Sequence, residues 1–315
     1  MPFRFVPLAH EENTTFLVID GRGDRYVLRI HRVSGSPFHP PRTVPEVRSE
    51  TAWLSAVSRQ TDLVVPEPVM TASGSPLTVV EADGVPGSRT CVLFRWRPGR
   101  FLDRGLTPMH LERVGRFTAR LHDHALRFAP PPGFRRWRIG DTTGAVAEYI
   151  GSTVEDAFGS WGRVIAEGVI ADTQRAQGEL GTGREAYGLI HADLHQDNYF
   201  FRGDQVGAID FDDCGWGHFA YDLSVTLSEV RSRPDSDALR AALLRGYREL
   251  RVFPVEHEPY LETFYRLRLL QLTLWCIEQR DHPAFVGWET DARDGLDELE
   301  TLSRARDASL ARRNR

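Results

Sequence analysis

The sequence predicts an α+β fold in two lobes, a small N-terminal sheet lobe with one main helix and a larger, mainly helical C-terminal lobe. Strand-like segments rich in β-branched and aromatic residues fill most of the first part, whereas apolar residues at helical spacing dominate the second. Between them, Pro98-Gly99-Arg100 has the composition of a linker. We therefore expect one lobe at 1–97 and the other at 98–315.

The N-terminal lobe is predicted to contain five strands and one helix. The predicted strands are Phe3–Leu8, Thr15–Asp20, Arg25–Ile30, Leu77–Glu81 and Thr90–Trp96. Gly21-Arg-Gly23-Asp between the second and third strands is a hairpin signal. A loop rich in Pro, Ser and Gly spans Ser34–Pro45, and Val47–Val57 then shows the apolar spacing of a helix.

The C-terminal lobe is predicted to be built from helices. The predicted helices are Pro108–Leu126, Val154–Glu179, Ser236–Leu250, Pro259–Arg280 and Asp291–Arg306. Between them, 187–209 has the character of loops and short strands, with Val206–Ile209 the clearest strand. The arginine-rich end, Ala311–Arg315, is expected to fray.

Composition narrows the class of protein. The chain has 315 residues, 41% of them hydrophobic, which is enough for a sizeable core. Acidic residues outnumber basic ones, 44 to 39, so no electrostatic capture of nucleic acid or anionic membrane is expected. Lysine is absent, and all 39 basic residues are arginine, whose planar fork binds phosphate and carboxylate bidentately. The sequence predicts no particular oligomeric state.

The cysteines and apolar segments indicate a soluble cytoplasmic protein. Cys91, Cys214 and Cys276 are odd in number and far apart, which argues against a disulfide framework or a thiolate zinc site. The first residues lack the apolar core of a signal peptide, and no later segment has the length and apolarity needed to span a bilayer.

Two acidic motifs carry the chemistry. The first is His191-Ala-Asp193-Leu-His-Gln-Asp-Asn198, in which the Asp and Asn have the spacing of a kinase catalytic loop. The second is Asp210-Phe-Asp212, which follows a predicted strand. Phosphoryl transfer from ATP needs a carboxylate for the acceptor hydroxyl and oxygen ligands for Mg²⁺, and the two motifs together supply both. A zinc site of His191 and His195 is not expected, because they lie in a loop without the helical H-E-x-x-H pattern.

The chain resembles the aminoglycoside phosphotransferase and choline kinase superfamily, particularly its homoserine-kinase-like and stress-response Ser/Thr kinase-like branch. The similarity runs through nearly the whole sequence. Besides the two motifs, it includes Glu12-Asn13-Thr-Thr, Tyr26-Val-Leu-Arg29-Ile-His-Arg32, Glu50-Thr-Ala-Trp-Leu, Phe94-Arg-Trp96-Arg-Pro-Gly99, Ala119-Arg-Leu-His122 and Tyr221-Asp222-Leu. It implies a protein-kinase-like fold that uses ATP and Mg²⁺.

The resemblance also implies roles for individual residues of the two motifs. Asp193 would be the catalytic base, and Asn198 and Asp210 would bind magnesium. His191 would brace the catalytic loop, and Asp222 would anchor the C-terminal lobe.

The nucleotide side departs from common kinase patterns. Arg29 stands where the third strand of a kinase usually has lysine, and it is expected to hold the ATP phosphates while pairing with Glu50, or failing that with Glu46. The loop Glu11-Glu-Asn-Thr-Thr15 replaces a glycine-rich loop. In that loop Asn13, Thr14 and Thr15 are expected to cover phosphate oxygens. The resemblance adds Phe94, Arg95 and Trp96 to the nucleotide site.

The acceptor is predicted to be a small hydroxylated molecule, a metabolite or an antibiotic. Only eleven residues separate Asp210 from Asp222, too few for the activation segment that orders peptide substrates in protein kinases. A protein serine or threonine is the alternative acceptor, and nucleotide binding without turnover is a third possibility. Candidate pocket or supporting residues are Asp212, Trp216, Asp222, Trp275 and Glu278. The predicted helix Pro259–Arg280 also contains Arg266, Arg268 and Arg280, a mixture that identifies no substrate.

Overall fold

The computed structural model describes residues 3–10, 13–33, 35, 42–85, 87–102, 105–140, 143–282 and 285–313. Its first part is a six-stranded sheet in which all pairs are antiparallel. The strands are β1 (Arg4–His10), β2 (Thr14–Ile19), β3 (Arg25–Ile30), β4 (Glu67–Pro68), β5 (Thr78–Val80) and β6 (Arg89–Arg95). The order is β1-β2-β3-β6-β4, and β5 also pairs with β6. Residues Glu11 and Glu12 and most of the predicted loop at 34–41 lie outside the described residues.

Helix α1 (Val44–Gln60) positions one buried carboxylate of the site. Its start is capped by Glu46, whose Oε2 accepts from the backbone N–H of Thr43 at 2.8 Å. Its inner face, with Val47 and Trp53 fully buried, also carries Glu50 at 0% exposure. Glu50 follows Val47 by three residues and precedes Trp53 by three, so all three share one face of the helix.

The rest of the chain is mainly helical. Its helices are α2 (Pro108–Arg127), α3 (Gly144–Leu180), α4 (Phe219–Ser228), α5 (Ser236–Leu250), α6 (Glu258–Glu278) and α7 (Trp288–Arg313). Helices α2 and α5 cross closely at two glycines. A Cβ at Gly115 would lie 2.1 Å from the carbonyl oxygen of Leu243, and one at Gly246 would lie 2.0 Å from that of Glu112. Larger residues there would force the helices apart.

Two short antiparallel strand pairs hold the acidic motifs. Strand β7 (Tyr187–Ile190) pairs with β10 (Gly215–His218), and β8 (Tyr199–Arg202) pairs with β9 (Gln205–Ala208). The first motif connects β7 to β8, and the second connects β9 to β10. A hydrogen bond from Ile209 N to Asn198 O, 2.9 Å long, joins the two connections. Consequently both motifs lie side by side.

The predicted α+β architecture is confirmed, with three local differences. Helix α3 begins ten residues before the predicted start, and it is interrupted at Gly159, whose φ of 70° is not helical. Helix α4 and the β7–β10 pair were not predicted, because these segments are short and buried on all sides and so show no period. Among the described residues, no helix combines the length and apolarity required to cross a membrane.

Candidate active site

The carboxylate of Asp222 fixes the start of the catalytic loop. Its two oxygens accept backbone N–H groups from His191 at 2.9 Å and Ala192 at 2.7 Å. Ala192 has a φ of 73°, a left-handed conformation that alanine adopts only where its surroundings impose it. The buried ring of His122, on α2, lies 3.0 Å from Asp222 through its Nε2. Asp222 therefore ties the loop to two helices.

The ring of His191 joins the catalytic loop to the segment before Asp210. Its Nδ1 accepts the backbone N–H of Asp193 at 3.2 Å, and its Nε2 lies 2.9 Å from the carbonyl oxygen of Ile209. These contacts require the proton on Nε2. Burial lowers the pKa of His191, so the ring stays neutral and braces the loop.

Three donors surround the carboxylate of Asp193. Asn198 Nδ2 donates to Oδ2 at 2.8 Å, and Arg268 from α6 donates to Oδ1 at 2.5 Å. His195 Nε2 lies 3.4 Å from Oδ2. Burial would raise the pKa of Asp193, but the charge of Arg268 and the contact with His195 hold it well below its usual range. The group is therefore an ionised hydrogen-bond acceptor.

Asp210 projects an open carboxylate beside this loop. Its φ of 58° is left-handed, an unusual conformation that directs the side chain to the cleft, where 51% of it remains exposed. Its partial removal from water in the cleft and the nearby charges of Asp212 and Asp193 raise its pKa to about 7, against the opposing effect of Arg29. A divalent cation would relieve this concentration of negative charge.

Asn198 and Asp210 fit a magnesium ion chemically. The amide nitrogen of Asn198 is committed to Asp193, through its carbonyl oxygen at 2.9 Å as well as its carboxylate, so the Oδ1 of Asn198 is left as a ligand. Asp210 offers carboxylate oxygens, and both are the hard oxygen donors that Mg²⁺ prefers.

Arg29 and Glu50 form a buried ion pair between β3 and α1. Arg29 Nη2 donates to Glu50 Oε1 at 2.5 Å, and Arg29 Nη1 lies 3.4 Å from Asp210 Oδ1. The guanidinium also lies over the ring of Phe94, 5.0 Å from its centre. The pairing expected from the sequence is thus present, and Glu46 instead caps α1.

The residues near β2 and β6 that were predicted to bind the nucleotide differ in their contacts. Asn13 Nδ2 donates to Asp212 Oδ2 at 3.2 Å, which links the turn before β2 to the second acidic motif. Thr14, expected in the loop, lies in β2 together with Thr15, the predicted first residue of this strand. Both are flanked by β1 and β3, so the sheet uses their backbone groups. Near the end of β6, Arg95 lies 3.5 Å from Glu67, and Trp96 donates its backbone N–H to Arg25 O at 3.1 Å.

The Asp212–Asp213 segment is held by side chains that the sequence did not reveal. Arg42 Nε donates to Asp212 O at 3.2 Å, and its guanidinium also pairs with the Asp213 carboxylate. Arg136 donates to the same Asp212 oxygen, and Trp137 Nε1 donates to Asp213 O at 3.0 Å. Asp212 is therefore buried and is held in place by these side chains. The supporting residues come from loops without motifs, so no pattern could single them out.

A second group of possible metal ligands lies behind Arg29. One ligand atom each from His31, Glu50 and Asp212 fall within 4.8 Å of one another, and all three residues are buried. The guanidiniums of Arg29 and Arg42 touch the same carboxylates, which disfavours an added cation. A bridging water is better suited to this group.

The other residues predicted to line the acceptor pocket lie in two parts of the structure, one on β10 and the rest on α6. Trp216 donates its backbone N–H to Trp137 O at 2.9 Å and packs its ring on Phe134 at 6.3 Å, which is a packing position and does not support an acceptor role. Trp275 lies seven residues after Arg268 on α6, hence about 10 Å along the same face. Glu278, one turn later, accepts from the Tyr149 hydroxyl at 2.9 Å.

The sheet lobe, the helical lobe and the two acidic motifs at their junction define a kinase-type phosphotransferase. The chain belongs to the phosphotransferase enzyme family, whose profile matches residues 4–260. It is 26% identical over 277 residues to a homoserine kinase of Methylobacillus flagellatus, covering 85% of this chain and 76% of that protein. Several other curated relatives are matched over 67% of their length or less.

Solved structures agree with this classification. A microcompartment-associated aminopropanol kinase has a TM-score of 0.79 and 28% identity, covering 96% of this chain and 93% of that one. An amicoumacin kinase solved with AMP-PNP, Ca²⁺ and Ami has a TM-score of 0.77 and 21% identity, covering 94% and 88%. The second likeness supports the fold alone.

Proposed function

We propose that the protein transfers the γ-phosphoryl group of ATP to a hydroxyl of a small molecule in a Mg²⁺-dependent reaction. The observation that carries the proposal is the bond of Asn198 Nδ2 to Asp193 Oδ2 at 2.8 Å. The side chain of Asn198, a proposed metal ligand, is thereby bonded to the carboxylate that would meet the acceptor hydroxyl. The nucleotide would bind between 1–97 and 98–315.

Asp193 would take the acceptor hydroxyl as a hydrogen-bond donor. The hydroxyl oxygen forms a bond to the γ-phosphorus, the bond from phosphorus to the bridging oxygen of ADP breaks, and the hydroxyl proton passes to the carboxylate. The products are ADP and a phosphomonoester. Magnesium, held by Asn198 and Asp210, would neutralise charge on the phosphates.

Arg29 would contact the phosphates from the opposite side. Its contacts with Glu50 and with Asp210, one of the proposed metal ligands, support this role, and arginine binds phosphate bidentately. Thr14 and Thr15 would contribute through their hydroxyls alone. The segment from Phe94 to Trp96 would border the nucleotide base, as the resemblance implies.

A small acceptor fits the compact segment after Asp210. Strand β10 follows within five residues and α4 begins at Phe219, so the chain returns to the core at once. No part of this segment is available to order a peptide substrate. The opposite wall of the cleft would be α6, with Trp275 and Glu278 beyond Arg268.

Substitution of Asp193 tests the proposal. We expect Asp193→Asn to lower phosphoryl transfer by about 10²–10⁴-fold, because general-base positions contribute on that order. ADP release should be followed over a panel of homoserine, aminopropanol, choline, aminoglycosides and sugars, with Mg²⁺ and with EDTA. Asp197→Asn is the control, since this exposed carboxylate belongs to the same loop. Transfer that persists in Asp193→Asn or in EDTA would contradict the proposal.

A further inference from the structure

One accessible face of α6 starts at Arg268, which contacts the carboxylate of Asp193. The residues of this helix that keep some exposure after Arg268 include Gln271, Leu272 and Trp275, whereas Leu267, Leu270 and Leu274 are buried. Arg268 is at one end of that face. Its guanidinium is held in the cleft by the contact with Asp193 Oδ1 at 2.5 Å. An acceptor that reaches Asp193 must therefore meet Arg268.

Arg268 differs from the other arginine on this part of α6. Arg266 is buried, and its guanidinium donates hydrogen bonds within the protein, to Asp172 at 2.7 Å and to Ser303 at 2.8 Å. A guanidinium carries five N–H groups. Among the described residues, the carboxylate of Asp193 is the one hydrogen-bond acceptor that Arg268 contacts. Its side chain keeps 15% exposure beside Asp193, so Arg268 is not sealed inside the core as Arg266 is.

We propose, on the basis of the proposed function, that Arg268 selects acceptors that carry a carboxylate close to the reacting hydroxyl. A planar fork of N–H donors recognises a carboxylate in two parallel hydrogen bonds. Arg268 then binds the carboxylate of a hydroxy acid while Asp193 receives its hydroxyl. Beside Asp193, the single negative charge of a carboxylate is repelled less strongly than a phosphate dianion.

Amine acceptors without a carboxylate are disfavoured by the same arrangement. An ammonium group near Asp193 is placed next to the guanidinium of Arg268, and like charges in a partly buried site repel. Homoserine and 3-aminopropan-1-ol differ only in the carboxylate. Serine and ethanolamine form a second such pair, so the carboxylate can be tested while the amine and the hydroxyl stay constant.

The experiment measures the binding of both pairs by calorimetry to the full chain with Mg²⁺ and AMP-PNP. At least one carboxylate member should bind about tenfold or more tightly than its partner, the size expected of a charge-assisted bidentate contact. Arg268→Gln should reduce that preference to within about twofold while leaving the amine member bound as well or better. Arg268→Lys, which keeps the charge without the fork, should fall between them.

Arg280→Gln is the matched control, because this arginine follows α6 and is exposed beside Asp281. It should keep the wild-type preference. Equal or weaker binding of the carboxylate members, or no binding of either member of both pairs, would overturn the proposal. Calorimetry measures binding and not turnover. A lack of Mg²⁺-dependent ADP release with every acceptor would therefore count against the proposed function and not against this selectivity.

Discussion

At the scale of single residues, arginine takes the position in which kinases commonly have lysine. Arg29 is 5% exposed and its partner Glu50 is fully buried, so their charges depend on each other. Their attraction raises the pKa of Arg29 against the effect of burial. An arginine can pair with Glu50 through one amino group and reach Asp210 with the other, which the single ammonium of lysine cannot do in the same geometry.

Arg29→Met should destabilise the protein by about 3–5 kcal/mol, because it leaves the buried Glu50 carboxylate without a partner. Adding Glu50→Leu should restore most of that stability while the nucleotide affinity stays low. Urea unfolding and titration with AMP-PNP and Mg²⁺ measure the two effects separately. A double variant that binds the nucleotide as tightly as the wild type would show that Arg29 does not contact the phosphates.

The motif residues could be named from the sequence one by one, whereas some of their distant partners could not. Asp193, Asn198 and Asp210 could be picked out because phosphoryl transfer demands those side chains at that spacing. The contacts of Asp193 with Arg268 and of Asp222 with His122 join residues 75 and 100 positions apart. No local pattern encodes such pairs, since each depends on how the helices pack.

At the scale of elements, the break in α3 shapes the C-terminal part of the molecule. Arg163, after the break, lies 3.2 Å from Glu148 and 2.8 Å from Glu155, both before it. In a continuous helix, Glu148 and Arg163 would be about 22 Å apart along the axis. The two arms therefore fold against each other, and the first arm carries Tyr149 to Glu278 at the end of α6.

Gly159→Ala should destabilise the protein by about 1–3 kcal/mol, because a φ of 70° with a ψ of −169° is accessible essentially to glycine alone. Gly168→Ala in the same helix is the control. A Cβ at Gly168 meets no atom within 4 Å, so this change should stabilise the helix by about 0.5–1 kcal/mol. Thermal unfolding of the two variants should shift in opposite directions. A shift of the same sign in both would contradict the assigned break.

The break also shows where the sequence pattern failed. Val154–Glu179 was predicted as one helix because the segment around Gly159 is rich in Ala, Val and Ile. A glycine inside a helical pattern is often tolerated, and only the pairing of Arg163 with residues before the break reveals the turn. Helix α2, by contrast, was placed to within one residue, because Pro108 and the Pro130-Pro-Pro-Gly133 run mark both sides of it.

At the scale of the whole molecule, buried neutral histidines connect stability to pH. The histidines in question are His31, His122, His124, His191 and His218. Burial lowers the pKa of each, in the case of His31 to about 3. In the unfolded chain they regain protons near pH 6.5, so the unfolded state binds more protons below that pH.

The free energy of unfolding without ligands should therefore fall as the pH is lowered from about 7 to 5. Asp210 opposes this trend: its raised pKa of about 7 lets the folded state hold one extra proton over the same range. His195, whose pKa is raised mainly by Asp193 against burial, also favours the folded state in acid, but its contribution is complete below about pH 6.5. The five buried histidines thus outweigh Asp210 and His195 together, and each net proton corresponds to about 1.4 kcal/mol per pH unit. Urea unfolding at pH 7.5, 6.5 and 5.5 measures this slope, and a stability that is constant or rises toward pH 5.5 would show that the buried rings are protonated in the folded protein.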